Sequence, residues 1–170
     1  MHAQNQETIS TVYAVAEGCA SVEVSDDSYA YYLRNLPLKS AGTEVRYYNG
    51  DTKPSGGIYD RVIDMEIDPV DLQQCADAVM RLRAEFLYQA NCYDEIHFNF
   101  LSDGMPRYFL EYGNGKTDYR AFRKYMKYIF SYANTSSLHD ELMAVDEKDE
   151  FRLEMYLSKR GDLMATQLSF

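Results

Sequence analysis

Four residues of this chain have types and spacings that could support thiol chemistry. Gln74 and Cys75 are adjacent in DPVDLQQCADAVMRLRAEFLY (68–88), and His97 and Asn99 stand two apart in IHFNFL (96–101). A cysteine nucleophile needs a histidine to hold its proton, a polar group to orient that histidine, and donors to stabilise an oxyanion. In that scheme Cys75 attacks, His97 is the base, Asn99 orients it and Gln74 supplies an oxyanion donor. A plainer reading competes at each position. Leu72, Cys75, Ala76, Val79, Leu82 and Phe86 recur at spacings of three and four, the stripe of a helix packed on a core, and free cysteine is among the most buried residue types. His97 and Asn99 are also neighbours on one strand face by default. Of the remaining histidines, His2 lies in the terminal lead-in and His139 stands beside Asp140 and Glu141, which reads as solvated surface.

The elements that must position these residues are legible from periodicity and punctuation. Asp68 suits a helix cap, Pro69 the first helical position and Asp71 the positive helix end, so a helix is expected from 68 to near 91, with Cys75 in its second turn. Segment 96–101 alternates as a strand, with Ile96, Phe98 and Phe100 on one face and His97, Asn99 and Leu101 on the other. A turn at 102–106 should return a strand over 107–112. Helices are expected over 119–132, burying Phe122, Tyr125, Met126, Ile129 and Phe130, and over 135–145, opened at Ser136 and Ser137. Earlier in the chain, strands are expected at 11–16, near 21–24, at 44–48 before the Asn49-Gly50-Asp51 turn, and at 59–67. A helix over 28–36 should stop at Pro37. Candidate strands 151–156 and 163–168 close the sequence. Strands and helices without regular alternation predict an α+β fold, an antiparallel sheet with packed helices. Residues 1–27 read as a partly ordered lead-in and 28–170 as a single domain.

Composition narrows the classes of partner. The chain has 170 residues, 46% hydrophobic, with 16 Tyr and 8 Phe against no Trp, which is a folded composition. Its formal net charge of −10 repels phosphate backbones and anionic lipid headgroups, so neither nucleic acid nor membrane insertion is expected. Cys19, Cys75 and Cys92 lack zinc-ligand spacing and are expected as free thiols, with no metal and no cofactor. The amino-terminal segment lacks the basic start and apolar run of a secretion signal. Gly115-Lys116-Thr117 lacks the upstream glycine of a phosphate loop, where Leu110 stands instead. Tyr31, Tyr32, Tyr47, Tyr48, Tyr108 and Tyr112 offer a second kind of working surface, one that stacks on sugars or peptides, although paired tyrosines in strands are also ordinary packing.

The segments SYAYYLRNLPLK (28–39), VRYYNGDTK (45–53), DLQQCADAVMRLRAEFLY (71–88), IHFNF (96–100) and FRKYMKYIFSYANTSSLHDEL (122–142) resemble the family catalogued as domain of unknown function 4846. Its members come mostly from gut-type and related bacteria, often behind a secretion or lipoprotein signal, so the resemblance implies a periplasmic or cell-envelope setting. It carries no established reaction. The family's order of helix-borne cysteine, Gly-Asp strand start and histidine on the next strand is similar to the NlpC-type papain-like peptidases of the cell wall. By that likeness Cys75 is the nucleophile and a peptide or glycan of the envelope is the partner. Gly161-Asp162-Leu163 matches the strand start, but the sequence then runs MATQLSF to Phe170 without the histidine segment. The expectation is therefore an incomplete or inactive papain-like site, with an unpaired strand edge near the carboxyl end that invites self-association. The alternative is a non-catalytic module that works through its tyrosine-rich surface.

Overall fold

A computed structural model describes residues 6–55, 57–142 and 164–165. The fold is α+β, as the sequence predicts, and its antiparallel pairing is divided between two two-stranded sheets. The described residues group into two compact units, one running to Val70 and including residues 164–165, the other beginning at Asp71.

In the first unit, helix α1 (Ile9–Val12) replaces the strand expected at 11–16. The Thr8 amide donates to Thr11 Oγ1 at 2.8 Å, a side-chain bond that satisfies an amide at the helix start and favours a helical turn over an extended strand. The strand expected near 21–24 does not form. The lead-in is stitched to the rest of its unit: Leu38 N donates to Glu7 O and Ile9 is buried with Leu33, Leu36, Leu38, Val45 and Ile63. Helix α2 (Tyr29–Arg34) starts where Ser28 Oγ accepts from Tyr31 N and stops before Pro37. Arg46 bridges Thr52 across the predicted turn, where Asp51 N donates to Asn49 Oδ1 at 3.1 Å and Gly50 takes a φ of +89° that favours glycine. Strand β1 (Arg61–Val62) is shorter than expected and pairs antiparallel with β4 (Met164–Ala165), in the register Arg61 with Ala165 and Val62 with Met164. The candidate strand at 151–156 lies outside the described residues.

The second unit is built on α3 (Cys75–Gln89), which starts at Cys75 rather than at Asp68. Val70 N donates to Asp68 O at 2.7 Å in a tight turn incompatible with helix, and the Asp77 carboxylate accepts from Gln74 N at 2.8 Å to cap the helix one residue before Cys75. The far end closes as a Schellman motif: Cys92 N donates to Leu87 O, Asn91 N to Tyr88 O, and Asn91 sits at φ 59°. Strands β2 (His97–Asn99) and β3 (Pro106–Tyr108) form the expected hairpin, pairing His97 with Tyr108. The return strand ends early. Residues 109–112 turn into helix α4 (Phe109–Tyr112), because helical geometry takes Phe109 into full burial while its amide still donates to Ile96 O. Gly113 then passes so close to Lys116 O that a Cβ there would stand 2.9 Å from it. Helix α5 (Tyr119–Tyr132) has the predicted bounds and buries the five predicted residues under an Asp118 cap. Helix α6 (Thr135–Glu141) is capped by Asn134, whose Oδ1 accepts from the Ser136 and Ser137 amides, not by those serines.

The core of this unit also differs from the expected stripe. Ala76, Met80, Ala84 and Leu87 of α3 pack with Phe98, Phe109, Phe122, Tyr125 and Ile129, and Cys75 stands outside that cluster, half-buried. The helix carries a second buried side containing Ala78 and Leu82 with Asp77, Arg81 and Glu85. Arg81 Nη2 lies 2.6 Å from Glu85 Oε1, which also accepts from Tyr119 Oη at 2.8 Å, while Arg81 Nη1 is buried without a hydrogen-bond partner among the described residues. With the Arg81 side chain only 1% exposed, removing its partner leaves a desolvated charge uncompensated. Glu85→Ala is therefore expected to lower unfolding stability by about 3 to 5 kcal/mol, whereas the double change Arg81→Met with Glu85→Leu should recover most of that loss. Urea denaturation checks both, and a Glu85→Ala loss below about 1 kcal/mol would contradict the assignment of a tightly coupled pair.

Candidate functional site

The thiol region is set by the cap of α3. Gln74 is the N-cap and Cys75 the first helical residue, a turn closer to the positive helix end than the sequence predicts. Gln74 itself is exposed, and its side-chain amide donates to Asp71 Oδ1 at 3.4 Å. Two residues beyond Cys75, the Asp77 carboxyl is buried in the helix flank. Arg81, one turn on, points its guanidinium at Glu85 and Tyr119 instead. With desolvation as the main cause, partly offset by the Gln74 amide, the Asp77 pKa rises from an ordinary 3.8 to about 6.

The histidine half of the expected grouping sits on β2. His97 and Asn99 share a face, as predicted, with Phe98 buried on the other. His97 Nδ1 lies 2.9 Å from Glu95 O, and because a carbonyl only accepts, Nδ1 carries the proton in that bond. Its Nε2 faces Glu141 Oε1 at 3.6 Å, and its ring stacks on Tyr108 with centroids 4.8 Å apart. The second oxygen of Glu141 accepts from Asn99 N at 3.0 Å, so one carboxylate from α6 bonds the strand backbone at Asn99 and faces the His97 ring. Each ring nitrogen of His97 thus faces oxygen. Glu141 was not foreseen, since nothing local links a helix residue to a strand that lies 42 positions earlier. His139 is exposed, with Nδ1 3.3 Å from Asp140.

The six tyrosines singled out from the sequence are divided between the units. Tyr31 and Tyr48 are exposed in the first and Tyr112 in the second, while Tyr32, Tyr47 and Tyr108 are half-buried. The larger aromatic assembly involves two tyrosines the sequence reading passed over, Tyr128 and Tyr132 of α5. Tyr112 stacks on Tyr128 at 4.8 Å, Tyr128 meets Phe100 at 5.0 Å and Tyr132 at 5.4 Å, and Tyr132 stacks on Phe100 at 5.1 Å. Arg107 lies over the Phe100 ring at 4.5 Å. Part of this assembly is open to solvent: Tyr112 is 43% exposed and Tyr132 57%, with Leu101 at 55% and Met105 at 57% in the β2–β3 turn. The signal was present in the sequence as an i, i+4 tyrosine pair on the flank of the buried stripe of α5.

Among the described residues no three histidine, cysteine, aspartate or glutamate side chains converge as metal ligands, and no helix is long and apolar enough to cross a membrane. A family model described as domain of unknown function (4846) matches residues 9–118. No curated protein and no solved structure matches the chain.

The Asp77 geometry carries a stability signature. Folding raises its pKa, so the folded state favours the protonated form; its contribution is most favourable below about pH 4 and is lost as pH rises through about 6. Asp77→Asn keeps an acceptor for the Gln74 amide and removes the buried charge. The variant is expected to exceed the parent in stability by about 1 to 3 kcal/mol at pH 7.5 and to match it near pH 4. Denaturant midpoints at the two pH values test this, and a variant less stable at pH 7.5 would reverse the assignment.

Proposed function

The chain belongs to the family of domain of unknown function 4846, and from that premise we propose that it is a binding module whose working surface is the tyrosine assembly of the second unit, with a glycan or peptide of the cell envelope as its partner. The observation that carries this reading is the continuous set of rings from Tyr112 through Tyr128 and Phe100 to Tyr132, with its outer members open to solvent. Tyrosine combines an apolar ring with a hydroxyl and has few torsions to immobilise, so an exposed group of rings binds amphipathic ligands at low entropic cost. Mutual stacking fixes the rings before a ligand arrives, which further reduces that cost.

A thiol hydrolase built on Cys75, His97, Asn99 and Gln74 is the second reading. It is favoured by Cys75 standing half-buried at the first position of α3, outside the core cluster. Against it, His97 would have to leave Glu95 O or Glu141 to take a proton from a thiol. Two measurements separate the readings. Tyr132→Ala is expected to weaken retention on insoluble cell-wall material at least tenfold without changing the circular dichroism, while Cys75→Ala leaves retention intact. Iodoacetamide labelling of Cys75 is expected to be unchanged by His97→Ala. Rapid labelling at pH 6, abolished by His97→Ala, would instead support the hydrolase.

A further inference from the structure

Helix α5 carries an unusual local charge for so acidic a chain. Its 14 residues, YRAFRKYMKYIFSY, include Arg120, Arg123, Lys124 and Lys127 and no acid, against a formal net charge of −10 for the whole protein. Arg120, Lys124 and Lys127 are exposed and make no side-chain hydrogen bond or ion pair among the described residues. Lys124 precedes Tyr128 by four residues and Tyr128 precedes Tyr132 by four, so the three follow one another along one helix face at intervals of about 6 Å. Lys127, three residues after Lys124, is its neighbour on the helix surface. The acids nearest in sequence to the rings are Asp103, held by Arg107 at the β2–β3 turn, and Glu111, exposed beside Tyr112. Neither belongs to α5, and among the described residues no acid pairs with Lys124 or Lys127.

We infer that the ligand of this face is an anionic glycan, a linear polymer of carboxylate-bearing sugars laid along the Lys124, Tyr128, Tyr132 row. This deepens the proposed binding function and rests on it. Cations next to exposed rings, without an acidic partner among the described residues, match a ligand that is negatively charged and amphipathic at once, and on a chain of net negative charge that local positive field gives orientation as well as attraction. The form of the face favours a glycan over an acidic peptide. Tyr128 is covered by Tyr112 on one side and meets Phe100 and Tyr132 on others, so the assembly offers the exposed rings of Tyr112 and Tyr132 about a half-buried Tyr128 and, among the described residues, no deep pocket between them. A peptide would draw most of its affinity from anchor side chains seated in pockets. A sugar polymer with carboxylates instead uses hydroxyl partners, ring contacts and lysines at repeated intervals.

The test uses the full chain and three probes: a polygalacturonate oligomer, a neutral glucan oligomer of equal length, and polyglutamate. The parent protein is expected to bind polygalacturonate at least tenfold more tightly than the neutral glucan, with affinity falling as salt rises. Lys124→Gln with Lys127→Gln should erase that preference, and Tyr132→Ala should weaken binding to either glycan; circular dichroism confirms that each variant remains folded. Equal binding of both glycans would overturn the anionic inference and leave the binding reading standing. Tighter binding of polyglutamate would overturn the glycan in favour of an acidic peptide. Retention on cell-wall material that Tyr132→Ala does not weaken would overturn the binding reading itself, and this inference with it.

Discussion

The buried pair of Arg81 and Glu85 is the constraint on which the second unit depends. Helix α3 is enclosed on two sides, and one of those sides carries full charges. An unpaired ion there would cost several kcal/mol, so the helix can be enclosed only because the guanidinium and the carboxylate neutralise one another and Tyr119 of α5 takes a further lone pair. The same arrangement explains the environment at the start of the helix. Since Arg81 turns towards Glu85, Asp77 is left with the Gln74 amide as its compensating bond. The cap that positions Cys75 is therefore a desolvated carboxylate with no countercharge among the described residues.

Much of the architecture could be read from the sequence where one signal dominated. α5 has an apolar stripe, an Asp118 cap and no competing pattern, and its bounds and buried residues came out as predicted. The β2–β3 hairpin was legible from strict alternation and a turn. The start of α3 was not, because Asp68 and Pro69 mimic an entry signal that the tight turn at Val70 cancels, and because Asp77 could be recognised as the cap only once the helix phase was known. The core stripe of α3 was displaced for a related reason. Sequence patterning treats arginine and glutamate as solvent-facing, and at Arg81 and Glu85 an ion pair four residues apart takes both inside. The segment 11–16 carries the strand formers Thr11, Val12, Tyr13 and Val15, whereas the Thr8 amide bonds locally to Thr11 to start a helical turn.

The candidate site divides in the same way. The sequence showed that His97 and Asn99 share a face, since alternation alone decides that. It could not show that Glu141 reaches across from another element to bond Asn99 N and face His97, nor that the Glu95 carbonyl faces the other ring nitrogen. A histidine held by oxygen on either side is fixed in orientation, which suits a structural tie between β2 and α6 as well as it suits a poised base. The tyrosines show the reverse case. Their number was plain from composition, but which of them gather depended on α4 forming where a strand was expected, since that turn brings Tyr112 onto Tyr128.

The pairing of β1 with β4 joins residues separated by about a hundred positions in the chain, while the contacts of the second unit, from α3 to α6, are closed within one continuous stretch. Long loops close slowly, and contacts distant in sequence form late. On the ribosome, the stretch from Asp71 onward can acquire its aromatic core before β4 has been synthesised, whereas β1 must wait for a partner that emerges about a hundred residues later. Until then its backbone edge is open to strands of other chains. The rate of elongation between β1 and β4, rather than the strength of any one contact, then determines how long nascent chains remain exposed to mispairing.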